Sequence, residues 1–90
     1  MLKILEEVIK TIRERKNSLS TDSYTKKLLS DKKLSLSKVK EEVAELIEAV
    51  EKSTNKIHES ADVLYHLVVY LEANDIKIEE VMNELKKRQK

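Results

Sequence analysis

The sequence predicts an all-α domain, a helical bundle of about four to five helices, and three observations carry that expectation. There is no glycine, proline, cysteine or tryptophan while 39% of the residues are charged, a profile rich in helix formers and poor in hairpin turns. Apolar residues recur at the i, i+3, i+4 spacing of a single buried helical face. The stretch Ile57 to Leu71, IHESADVLYHLVVYL, is apolar nearly all round, with Leu64, Val68, Ala61 and Tyr65 on one side and Val63, Leu67, Tyr70 and Leu71 on the other. Such a helix belongs at the centre of a bundle, with the rest of the chain packed about it.

Each element follows in order. Leu2, Leu5, Val8, Ile9 and Ile12 predict a helix from about Leu2 to Lys16, with Arg13 and Arg15 toward its end. Asn17 to Asp22 reads as a loop, because Asn, Ser, Thr and Asp side chains bond locally to the backbone and compete with helix. Ser23 to Ser30 forms a short helix capped by Asp22 or Ser23. Asp31 to Leu34 turns the chain, and Ser35 or Ser37 caps a helix that runs to about Lys52 and buries Val39, Val43, Leu46, Ile47 and Val50. Ser53 to Asn55 leads into the central helix, which ends near Ala73. Asn74 and Asp75 turn, and Ile78, Val81, Met82 and Leu85 give a closing amphipathic helix.

Ninety residues make one domain, 1–90, near the size at which a single core gives only a few kcal/mol and a second chain supplies the rest. A homodimer is therefore expected. Without cysteine there is neither a disulfide framework nor thiolate chemistry, which fits a reducing compartment. No apolar run is long enough to span a membrane, and Glu6 and Glu7 interrupt the apolar pattern of Met1 to Ile12, so a membrane segment and a signal peptide are both unexpected and a cytoplasmic location is expected. The net charge is +1, from 18 Lys and Arg against 17 Asp and Glu, with the signs interspersed, which argues against a nucleic-acid surface. The basic ending Lys86, Lys87, Arg88 and Lys90 is explained first by the dipole of the last helix, and second by a phosphate contact.

The chemistry lies in the spacing of the acids. Glu59, Asp62 and His66 fall within roughly 60° of one another on the central helix, a polar stripe through a surface otherwise dressed for the core. Carboxylates in that setting are costly unless something pairs with them. Glu42 and Glu45 repeat the three-residue step on the preceding helix, and two antiparallel helices joined by a short loop bring the pairs face to face. Four like charges around one small volume call for a cation, and all-oxygen ligation suits Mg²⁺ first and Mn²⁺ second. Zinc would want His or Cys, and His66 is the histidine within reach of this stripe.

A plainer reading stands beside this one. Glu41, Glu42, Glu45 and Glu48 also suit a solvated face paired with Lys38, Lys40 and Lys52. By itself His66 is more often a satisfied core histidine, Tyr65 and Tyr70 are simplest as core or interface aromatics, and Tyr24 suits either packing or substrate contact.

The pattern Glu41, Glu42, Glu45, Glu59 and Asp62 resembles the MazG-like all-α nucleotide pyrophosphatases. Within that superfamily the chain is most similar to the phosphoribosyl-ATP pyrophosphohydrolases of the second step of histidine biosynthesis. Ser23-Tyr24-Thr25 followed by Lys27 and Leu28, KVKEEVAELIEA from Lys38 to Ala49, ESADVLYHLVVYL from Glu59 to Leu71 and the ending EVMNELKKR carry the likeness. Two positions depart from it: Lys40, where that family usually has Gly, and Val43, where it usually has Ala. These bear on the helix start and its packing rather than on the acids.

The resemblance implies Mg²⁺-dependent hydrolysis of phosphoribosyl-ATP to phosphoribosyl-AMP and pyrophosphate by a helical homodimer with its sites near the shared interface. It implies Glu42, Glu45, Glu59 and Asp62 as metal ligands, with Glu41 and Glu42 as the catalytic pair and Glu41 orienting or deprotonating the attacking water. Ser23, Tyr24, Thr25, Lys27, Lys38, Arg13 and Arg88 are the candidates for holding phosphates and ribose, and His66 is a partner of a ligating carboxylate, Asp62 lying one turn before it. Two other readings remain open at this point: a MazG-like pyrophosphatase acting on dUTP or aberrant nucleoside triphosphates, and a non-catalytic helical interaction module.

Overall fold

The structure is a computed structural model that describes residues 1–19 and 23–89. Five helices follow one another: α1 (Lys3–Lys16), α2 (Tyr24–Ser30), α3 (Lys32–Lys52), α4 (Lys56–Ala73) and α5 (Ile78–Arg88). Asp22, one of the two proposed caps of α2, and Lys90 of the basic ending lie outside the described residues.

Ser23 caps α2, its hydroxyl accepting from the Lys26 amide at 3.3 Å. The expected turn over Asp31 to Leu34 is replaced by a single residue. Asp31 ends α2 in an extended conformation and at once caps α3, its carboxylate accepting from Leu34 N at 3.0 Å. Asp31 already caps the helix upstream, so Ser35 is not a cap but a buried residue inside α3. In a chain without glycine, left-handed backbone falls to Ser53 (φ 55°), Asn55 (φ 46°) and Asp75 (φ 58°), two of them the residue types that best tolerate it. Ser53 and Thr54 both bond back to Ala49 O, the double closure that stops α3 and lets α4 start within a few residues.

The α3–α4 antiparallel hairpin is the most extensive packing in the molecule, and α4 also meets α1, α2 and α5, as expected for the central helix. Ile12, Leu28, Leu29, Val68, Val69 and Ala73 form the core, with Leu5, Val8, Ile9, Leu34 and Tyr65 packed around it. At the far end of α4 a charged clasp ties three helices together. Arg13 donates to Glu79 at 2.6 and 2.7 Å and to Glu72 at 3.3 Å, while Lys16 donates to Asp75 at 2.8 Å and to the Glu72 carbonyl at 2.7 Å.

The expected burial of α3 needs correction. Its buried residues are Ser35, Glu42 and Ala49, one every second turn, and this is the line that meets α4. Val43, Ile47 and Val50 are exposed, Ile47 at 55%, and on α4 Ile57, Leu64 and Leu67 are exposed with them. Among the described residues nothing covers Val43, Ile47 and Val50 fully. Among the described residues no helix is long and apolar enough to cross a membrane.

Candidate metal centre

Antiparallel pairing of α3 and α4 brings the two acidic steps together. Glu42 lies beside Glu45 on its own helix and faces Asp62, while Glu59 faces Glu45. Glu41, Glu42 and Glu45 offer oxygens that all lie within 4.8 Å of one another, and so do the ligand atoms of His58, Glu59 and Asp62. The Glu42 side chain is only 9% exposed. One oxygen of Glu42 and one of Glu59, both Oε2, are buried without a hydrogen-bond donor.

The electrostatics follow from this crowding. Burial first, and then Glu45 and Asp62, push the Glu42 carboxyl above its ordinary range, since desolvation and like charges both disfavour the anion. Burial, then Glu45, does the same to Glu59. The solvated-face reading holds for part of the acids: Lys38 donates to Glu41 at 3.1 Å and Lys52 to Glu48 at 2.6 Å.

Around the acids stand the residues of the hydroxyl-rich segment. Tyr24 and Tyr65 both meet the His66 ring edge to face, with centroids 6.3 and 5.0 Å away, and the Thr25 and Tyr65 hydroxyls share a hydrogen bond. That pairing ties the Ser23-Tyr24-Thr25 segment to α4. Lys38 sits on α3 beside Glu41, and that hydrogen bond raises its pKa. Lys27 is exposed on α2.

Two features depart from the sequence expectation. His66 Nε2 approaches Glu42 Oε1 at 3.9 Å across the helix pair, so the carboxylate it meets is Glu42. Asp62 instead takes His58, with Nε2 to Oδ2 at 3.3 Å, an i, i+4 pair visible in the sequence and not singled out there. Burial, then Lys38, holds the His66 pKa below its ordinary value. Arg13 and Arg88 are not gathered with the acids. Arg13 is bound to Glu72 and Glu79, and Glu72 lies ten residues beyond Asp62, roughly 15 Å along α4 at the helical rise. Arg88 pairs with Glu84 on its own helix at 3.0 Å.

A family model described as phosphoribosyl-ATP pyrophosphohydrolase matches residues 5–89 of this chain. The chain belongs to the phosphoribosyl-ATP pyrophosphohydrolase family. Among its relatives in that family is a phosphoribosyl-ATP pyrophosphatase of Methanococcoides burtonii, 40% identical over 97% of this chain and 93% of the relative. Another, of Clostridium novyi, is 42% identical over 97% of this chain and 82% of the relative. A histidine biosynthesis bifunctional protein of Pyrococcus furiosus is 44% identical over 99% of this chain, which spans only 43% of that longer protein. The five-helix, all-α architecture is the one expected from the resemblance.

Proposed function

We propose that this chain hydrolyses phosphoribosyl-ATP to phosphoribosyl-AMP and pyrophosphate, with Mg²⁺, or Mn²⁺ in its place, held by Glu42, Glu45, Glu59 and Asp62. The observation that carries the metal is the pair of buried carboxylate oxygens, Glu42 Oε2 and Glu59 Oε2, left without donors on facing helices. Four crowded acids suit a hard divalent ion. When bound, such an ion neutralises charge on the phosphate oxygens and lowers the pKa of a bound water.

The chain's own residues then divide the remaining work. Glu41, at the rim of the cluster and held by Lys38, orients the attacking water and accepts its proton. Lys38 and Lys27 bind phosphate oxygens as point charges, and Ser23, Tyr24 and Thr25 offer hydroxyls from a segment fixed through Tyr65. His66 braces Glu42 from behind, wedged between two tyrosine edges. Arg13 and Arg88 stand as more distant candidates for the phosphates, Arg13 paired with Glu72 and Glu79 and Arg88 with Glu84.

The reading includes a cytoplasmic homodimer. Val43, Ile47 and Val50 are exposed apolar residues of α3, the helix that carries Glu42 and Glu45, and a second copy supplies their cover. The test is pyrophosphate release from phosphoribosyl-ATP with Mg²⁺ and with excess EDTA, against ATP and dUTP. Metal-dependent release confined to phosphoribosyl-ATP supports the reading, release from dUTP or ATP instead overturns the substrate, and no release from a folded protein overturns the activity.

A further inference from the structure

We infer that Tyr65 is a positioning residue for the substrate: its phenol donates to Thr25 Oγ1 and so leaves the Thr25 hydroxyl fixed, with its own proton free for a phosphate or ribose oxygen. The inference rests on the reading of Ser23-Tyr24-Thr25 as a segment that holds phosphoribosyl-ATP. It gives a task to an α4 side chain that is neither one of the acids nor part of that segment.

The setting of Tyr65 makes it an anchor. Its ring packs against the buried core and meets the His66 ring edge to face at 5.0 Å, so the side chain is held from two sides. Its hydroxyl reaches α2 and shares a hydrogen bond with Thr25. Thr25 stands in the first turn of a seven-residue helix that starts at the Ser23 cap. A helix that short is marginal alone and takes its order from what it is tied to. Tyr65 leaves α4 one turn after Asp62 and next to His66. The tie is therefore made beside the acid stripe, away from the end of α4 where Glu72 holds Arg13.

The direction of the bond follows from the chemistry of its two partners. A phenol is a stronger acid than an aliphatic alcohol, and hence the better donor. With the Tyr65 proton directed at Thr25 Oγ1, the Thr25 hydroxyl keeps its own proton to give, and accepting one hydrogen bond strengthens the one it donates. A threonine in a helix otherwise turns its hydroxyl back to a carbonyl of the preceding turn, which occupies that proton. An anionic phosphate oxygen is the acceptor that gains most from a donor held ready in this way.

The experiment measures kcat and KM for phosphoribosyl-ATP at saturating Mg²⁺ in the unaltered protein, Tyr65→Phe, Thr25→Val, the double variant and Thr25→Ser, with circular dichroism and thermal unfolding to confirm the fold. Tyr65→Phe keeps the ring, its packing and its edge against His66, and removes the hydroxyl alone. The expected result in Tyr65→Phe is a KM raised about fivefold to tenfold with kcat within about twofold, the signature of a lost binding contact. Thr25→Val should raise KM at least as much, the double variant should lose no more than Thr25→Val, and Thr25→Ser should restore KM to within about twofold. An unchanged KM in Tyr65→Phe, or losses that add in the double variant, overturn the inference and leave Tyr65 a packing residue. A fall in kcat with KM unmoved overturns it as well, since a positioning contact acts through binding. Thr25→Val reads the same bond from its other end, so a KM equal to that of Thr25→Ser overturns the inference even where Tyr65→Phe fails to fold. An unaltered protein that releases no pyrophosphate from phosphoribosyl-ATP overturns the inference together with the reading beneath it.

Discussion

Replacing Glu42 with Gln should stabilise the metal-free protein, although it removes a buried residue's natural side chain. Glu42 and Glu45 offer oxygens within 4.8 Å of each other. Two unit charges at that separation repel by about 0.9 kcal/mol at the dielectric of water and about 3.5 kcal/mol at an effective value near 20. Glutamine keeps the shape, removes one anion from the cluster and gives Glu45 an amide to accept from. A net gain of about 1–2 kcal/mol follows once imperfect amide geometry is discounted. In a domain this small that raises Tm by roughly 4–8 °C per kcal/mol. The assay is thermal unfolding in EDTA and in Mg²⁺. In EDTA the variant should melt above the unaltered protein. In Mg²⁺ the gap should close or invert, because only the unaltered protein gains binding free energy from the ion. A variant that melts lower in EDTA would refute the idea that the acids repel one another in the absence of a cation.

Other consequences concern the clasp and the open face. Arg13→Ala leaves the nearly buried Glu72 carboxylate without its guanidinium and should cost about 1–3 kcal/mol, read from urea unfolding. The Arg13 guanidinium holds the Glu79 carboxyl down to about 2, and Lys16 holds Asp75 below its ordinary range. Both folded pKa values are depressed, so their contribution is present above the ordinary carboxylate range and is lost as pH falls from about 4.5 toward 2. Denaturation midpoints measured across that interval should fall less steeply in Arg13→Ala than in the unaltered protein. Ile47→Lys puts a charge among the exposed apolar residues of α3, and sedimentation should show a monomer where the proposed pairing makes the unaltered chain a dimer. An unaltered chain that sediments as a monomer contradicts the proposed pairing.

The helices were legible in the sequence because periodicity and composition agree over long segments. The boundaries that moved did so for local reasons. Asp31 caps α3 earlier than the serines, because its extended backbone aims its carboxylate at the Leu34 amide and the helix is already under way at Ser35. The face of α3 was misread because Val43, Ile47 and Val50 are apolar yet point where a single chain offers no neighbour. Periodicity reports that a face is apolar and says nothing about which molecule covers it. The four acids were legible because their three-residue steps recur on adjacent helices, and a short connection forces those helices antiparallel. What spacing could not show was the partner of His66. His66 meets a glutamate on the facing helix, a contact set by the register of the hairpin, while the His58 and Asp62 pair is local and open to inspection. Arg13 was expected at a phosphate, and its engagement by Glu79 depends on how α5 returns to α1, a long-range contact no local pattern encodes.

The central claim is that the facing carboxylates hold the ion on which pyrophosphate release depends. Its most direct test is the rate of pyrophosphate release from phosphoribosyl-ATP at saturating Mg²⁺ by the unaltered protein, Glu59→Gln and Asp62→Asn, each shown by circular dichroism to be folded. The account predicts a loss of about 100-fold or more in both variants, since ligands matter at least as much as the groups that support them. Turnover near that of the unaltered protein in either folded variant would contradict it.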